Sequence, residues 1–123
     1  MAILETNARN AAANAIVDLI DSGPGAGTLE FETSGDVEVA TLTFSDPAFG
    51  SASLGTATAS AITSDLNATG GTIAQASIYT STGTKILEAT VSTSGAEINL
   101  SSLNISAGDV VSVTNLTLTV PAS

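Results

Sequence analysis

Ile78-Tyr79-Thr80-Ser81-Thr82-Gly83-Thr84-Lys85-Ile86-Leu87-Glu88-Ala89-Thr90-Val91 is the stretch that decides the fold class. Leu87, Ala89 and Val91 alternate with polar residues, the two-residue period that puts one face of a strand against a core and the other in solvent. Ser81 to Thr84 supply turn chemistry around Gly83, so the stretch reads as a β-hairpin, entered by a strand over 72–80.

Working outward, the same grammar repeats. Residues 28–33 place Leu29 and Phe31 on one face and Glu30 and Glu32 on the other. In 37–44, Ala40, Leu42 and Phe44 share a phase that Val37 and Val39 do not, which predicts a bulge near Val39. Ser45-Asp46-Pro47 is a turn, after which Phe49 folds back onto the sheet end. Thr and Ala alternate over 53–62, and short segments at 97–100 and 103–105 lead to the Ser106-Ala107-Gly108-Asp109 turn. The strand expected over 110–120 changes phase between Val113 and Leu116, so Thr114-Asn115 should carry a bulge or bend. Many short strands with Gly-rich turns predict a mainly β protein, an antiparallel β-sandwich or jelly roll.

The exception is 7–21, a helix at the N-terminus. Ala8, Ala12, Ala15, Ile16, Leu19 and Ile20 recur at helical spacing, Thr6 or Asn7 is placed to cap the start, and Gly23-Pro24 ends it. The expected organisation is a helical arm (1–21), a flexible Gly-rich link (22–27) and a β body (28–123). A helix of about fifteen residues is marginal alone in water, so Ile16, Leu19 and Ile20 are the expected contacts to another molecule.

Composition narrows the function classes. The chain has 123 residues with no Cys, His or Trp, and twelve acids against two bases give a formal net charge of −10. Without His or Cys, the usual groups for acid–base and nucleophilic work near neutral pH are missing, and no catalytic residues are assigned. Arg9 and Lys85 cannot form a basic stripe, which argues against nucleic acid and against an anionic membrane. No apolar stretch approaches the ~18 residues of a membrane span, and the N-terminus lacks a signal-peptide pattern, so the reading is a soluble, unprocessed chain. Lys85, beside the hairpin loop, should keep its ordinary pKa through exposure.

Two local features are weighed and set aside. Ser22-Gly23-Pro24-Gly25-Ala26-Gly27 follows a helix and has no Lys, unlike a phosphate-binding loop. Glu30, Glu32, Asp36 and Glu38 could offer oxygens to a hard cation or form a glycosidase pair, but they read first as a solvated strand face, and four aromatics are few for gripping a sugar. No metal or cofactor is assigned. A core of small residues suggests reliance on a partner, and Thr56 to Ala61 lacks the Lys and Pro that protect an exposed edge, so a homodimer or trimer is expected.

A family resemblance lies across almost the whole chain. Asn7-Ala8-Arg9-Asn10-Ala11-Ala12-Ala13 leading into Ile16-Val17-Asp18-Leu19-Ile20-Asp21, then Gly25-Ala26-Gly27-Thr28-Leu29, Ala40-Thr41-Leu42-Thr43-Phe44-Ser45-Asp46-Pro47-Ala48-Phe49-Gly50 and Gly108-Asp109-Val110-Val111-Ser112-Val113, resemble small virion proteins of tailed bacteriophages and prophages. The resemblance implies a capsid decoration (cement) protein on the capsid exterior, with the major capsid protein as partner. Tail and fibre components share this composition, so a host-recognition module is the alternative.

Overall fold

The structure is a computed structural model that describes residues 2–122. Residues 1 and 123, the outer ends of the expected arm and body, lie outside the described residues. One helix, α1 (Thr6–Ile20), precedes nine strands: β1 (Thr28–Glu32), β2 (Glu38–Thr43), β3 (Thr56–Thr58), β4 (Gly71–Thr72), β5 (Gln75–Tyr79), β6 (Lys85–Ser92), β7 (Ile98–Asn99), β8 (Asn104–Ile105) and β9 (Thr117–Thr119). The fold is therefore mainly β with one N-terminal helix.

The principal sheet has the order β2-β1-β5-β6-β7, with β3-β9 and β4-β8 as two-stranded companions. All pairs are antiparallel except β6 with β7, so the sheet is mixed rather than wholly antiparallel as expected. The hairpin read from 78–91 forms, with Leu87 opposite Ile78 and Lys85 opposite Tyr79. The bulge expected near Val39 is also present. Phe31 pairs with Ala40 and Glu32 with Glu38, leaving Val39 as the extra residue, and both Val39 and Ala40 turn inward.

Long sequence runs become short pairings. The strand expected over 110–120 splits at a bend at Thr114: Val111 bridges to Asp65, while β9 pairs with β3. The 53–62 run keeps only three strand residues, and it is not an exposed edge. Phe49 bridges to Ala59, and Ser53 exchanges main-chain bonds with Thr56, so β3 is covered on the side away from β9.

The helix belongs to the body's core along part of one face. Its buried residues are Ala13, Val17 and Ile20, a stripe rotated from the expected one. The rotation has a polar cause. Asn10 and Asn14, one turn apart, accept the main-chain N–H groups of Gly55 and Ala52 at 2.8 Å each, and Arg9 Nε donates to the Val120 carbonyl at 2.8 Å. These bonds point the Asn side chains at the 52–55 turn and roll Ala8 and Ala15 outward. Neither expected cap operates: Glu5 occupies the N-cap position, and its side chain makes no cap bond.

The Gly-rich link is packed rather than loose. Gly25 N–H donates to Ser81 Oγ at 3.3 Å, and the Gly27 carbonyl accepts the Phe44 N–H at 3.0 Å. A Cβ on Gly27 would lie 2.6 Å from the Tyr79 carbonyl oxygen, so the chain passes the sheet where only glycine fits. Leu29, Phe31, Leu42, Ala76 and Ile78 supply the inner face of the sheet, and Phe44 and Phe49 close one end with ring centroids 5.7 Å apart.

The two edges of the sheet are finished differently. Along β2, Thr43 exchanges main-chain bonds with Thr63, the Val39 carbonyl accepts from Thr69 and Gly70, and Asp65 Oδ2 accepts the Thr41 N–H at 2.9 Å. Along β6, only Val91 and Ser92 find a further strand, in β7. Residues 85–89 make no main-chain pairing beyond β5 among the described residues, whereas Thr90 already lies against the start of β7.

Candidate functional site

The outer face of the sheet gathers most of the chain's chemistry. Glu30 and Glu32 project from β1, Gln75, Ser77 and Tyr79 from β5, and Lys85 and Glu88 from β6, in one register. Glu32 is only 2 % exposed, so it is not the solvated strand acid expected from the alternation. Three donors account for its burial: Ser77 Oγ at 2.8 Å and Gln75 Nε2 at 3.2 Å reach Oε1, and the Tyr79 hydroxyl reaches Oε2 at 2.8 Å.

These bonds separate the two glutamates electrostatically. Burial acts to raise the Glu32 pKa, but the hydrogen bonds from Tyr79, Ser77 and Gln75 together outweigh it and hold the carboxyl below its ordinary value. Glu30 moves the other way, raised by its own burial and by the negative charge of Glu32 beside it. Tyr79 is raised because its hydroxyl proton is held by Glu32. Lys85 does not keep its ordinary value: the Glu88 carboxylate, 2.7 Å away, raises it.

The four acids around the β1–β2 turn do not converge. Asp36 accepts from Gln75 Nε2, whereas Glu38 accepts from Thr41 Oγ1 at 2.7 Å and Thr69 Oγ1 at 2.6 Å. Among the described residues, no group of three or more acidic side chains is arranged to hold a metal ion. Glu32, Asp36 and Glu38 are instead occupied by hydroxyl or amide donors.

A second feature is apolar. A groove of about 290 Å³ opens between the second half of α1, β6 and β9, lined by Val17, Ile20, Phe49, Leu87, Ala89 and Leu118, with Glu88 and Glu97 in its wall. Of the three helix residues expected to bind a partner, only Ile20 lines it. Ile20 is fully buried, Ile16 is half-buried, and Leu19 is 52 % exposed. They do not form one exposed patch.

No protein-family model, no curated protein and no solved structure matches this chain. Its function must be read from its own residues. Those that sequence reasoning passed over are Ser77, Gln75 and Tyr79, because alternation assigns them a face but not their shared acceptor. One signal was available: three donor side chains at alternate positions, 75, 77 and 79, of one strand, matching the alternate Glu30 and Glu32 of another.

Proposed function

We propose that this chain is a structural virion protein, a capsid decoration or cement protein that binds the outer capsid surface and bridges neighbouring capsomers. In this reading the principal sheet and the β3–β9 pair are the two layers of a sandwich-like body. The observation that carries it is the distribution of large apolar side chains. A chain short of them leaves Leu54, Leu66, Ile3 and Val110 between 61 and 74 % exposed on a surface otherwise full of acids and hydroxyls. Isolated exposed leucines are ordinary, but so many in a chain with a small core support a role in docking. A repeated shell multiplies a modest interface, so weak individual contacts suffice.

The carboxylate pair does not favour a hydrolase. Both oxygens of Glu32 are already engaged by donors, and neither the 290 Å³ groove nor the smaller cavity beside Asn99 and Val111 is lined by Glu30 or Glu32. Glu32 instead fastens β1 to β5.

Locating the protein in a virion density map tests the proposal. Density at regular sites on the head is the expected result. Density confined to the tail tip would move the chain to the host-recognition class, and absence from the particle would overturn the reading.

A further inference from the structure

The open edge of β6 carries a charge pattern that is its own complement. Ile78 pairs with Leu87 and Tyr79 with Lys85, which makes Ile86 the extra residue of a bulge. Lys85 and Glu88 therefore stand one register step on either side of Leu87, on the same outer face as Tyr79 and Ser77. In a regular strand, residues three apart would point to opposite faces; here the bulge returns them to one face.

We propose that residues 85–89 form a two-fold, edge-to-edge antiparallel contact with the same segment of a second copy of this chain, centred on Leu87. A two-fold axis through Leu87 sets Lys85 of each copy opposite Glu88 of the other and continues the sheet across the dimer. Neighbouring registers lose this match. Centring on Lys85 or on Glu88 opposes like charges, and centring on Ala89 sets Glu88 against Thr90. β7 does not obstruct the segment, because its pairing and the Glu97 contact begin beyond Ala89, at Thr90 and Val91. The two Leu87 side chains would meet beside the apolar groove that each lines.

A lysine and a bulge at an edge also serve to keep edges apart. Lys85 alone would do so. Paired by symmetry with Glu88, it selects one partner edge, its own, and disfavours edges lacking a carboxylate at that step. The contact requires neither a capsid nor a virion, so its failure would leave the proposed function standing.

The test uses the purified full chain in sedimentation-velocity runs across micromolar to millimolar concentrations at physiological ionic strength. Wild type is expected to dimerise reversibly. Lys85→Glu alone and Glu88→Lys alone each oppose like charges twice across the axis, so each should weaken self-association by about tenfold or more. The decisive sample is their equimolar mixture. There the doubly acidic edge of one variant meets the doubly basic edge of the other, opposite charges face each other on both sides of the axis, and dimer should return. Far-UV circular dichroism checks that each variant is folded. Hydrogen exchange on wild type offers a second reading, with amides of 85–89 slowing as concentration rises. A wild type that stays monomeric, single variants that associate as well as wild type, or a mixture that does not recover would each overturn the proposal.

Discussion

The two edges of the principal sheet face the same physical problem and solve it by opposite means. An edge strand presents unpaired N–H and C=O groups to water and to other strands. On the β2 side the chain covers its own edge: the 61–70 segment folds back, Thr63 pairs with Thr43, and Asp65 takes the Thr41 N–H. Gly70 at φ +96° lets that segment turn where a side chain would be strained, so its N–H can reach the Val39 carbonyl. On the β6 side the chain leaves after Ser92 and returns for only two residues of β7, and Lys85 and Glu88 pair with each other on the outer face beside the uncovered edge. The difference teaches that covering an edge also buries it. Ala40 and Leu42, with Val39 at the bulge, are fully buried, whereas Leu87, Ala89 and Val91, just as apolar, remain half-exposed.

A matched pair of truncations gives the largest expected effect. Leu42→Ala removes a fully buried side chain and should cost about 2–5 kcal/mol. Leu87→Ala, at a half-exposed site, should cost about 1 kcal/mol, since part of its surface already faces water and the groove. Urea denaturation of both variants measures the difference. Equal losses would mean that β6 is as well covered as β2 and would erase the contrast.

Polar truncations sharpen the same comparison at a smaller scale. Asp65→Ala leaves the Thr41 N–H without its acceptor and removes a second bond, from the Asn67 N–H to Oδ1 at 2.9 Å. The expected cost is about 1–3 kcal/mol, with faster exchange of the Thr41 amide. Thr90→Ala on the open edge should change stability by no more than about 0.5 kcal/mol, because Thr90 is exposed and bonds only to Glu97 beyond the sheet. An Asp65 variant as stable as wild type, with the Thr41 amide still protected, would show that the main-chain bonds alone hold the loop.

The sequence made one edge more legible than the other, and the reason is the range over which each signal acts. The 80–84 turn is local: Gly83 and the Thr80 hydroxyl set it, and the strands it joins follow from a two-residue period. The bulge at Val39 was legible for the same reason, as a phase change within one strand. The partners of those strands were not. Nothing in the 53–62 run says that it will pair for three residues and then turn to Phe49, or that Asp65, a turn-type residue, will serve as an edge cap for β2. The helix misled by composition. Its apolar count favours Ile16 and Leu19, but three polar side chains, Arg9, Asn10 and Asn14, fix its roll through main-chain groups 38 to 111 residues away. Of the outer face, alternation predicted which way Glu32 points and not that Ser77 and Tyr79 would bury it.

The centre of the sheet, between the two edges, offers the smallest effects and the clearest signs. Glu32 ties β1 to β5, the strand on which the open-edge β6 hangs, and its folded pKa is lowered. Its contribution is therefore present above the unfolded carboxylate value and lost as pH falls through the folded one. Glu32→Gln keeps one carbonyl acceptor, so it should cost about 1 kcal/mol at pH 7 and progressively less in acid. Glu30 has the opposite sign. With its folded pKa raised, it favours the folded state below the unfolded value, and that advantage disappears as pH rises through the folded value. At pH 7 Glu30 is ionised against the charge of Glu32, so Glu30→Gln should stabilise the protein, by about a few tenths of a kcal/mol once solvent screening of this half-exposed group is allowed for. The gain should vanish near pH 3, where Glu30 is protonated in both states. Thermal melts of wild type and variant from pH 3 to pH 8 would show two curves that meet in acid and part as Glu30 ionises. A gain independent of pH would mean that side-chain shape or propensity, rather than the charge of Glu32, sets the strain at the centre of the sheet.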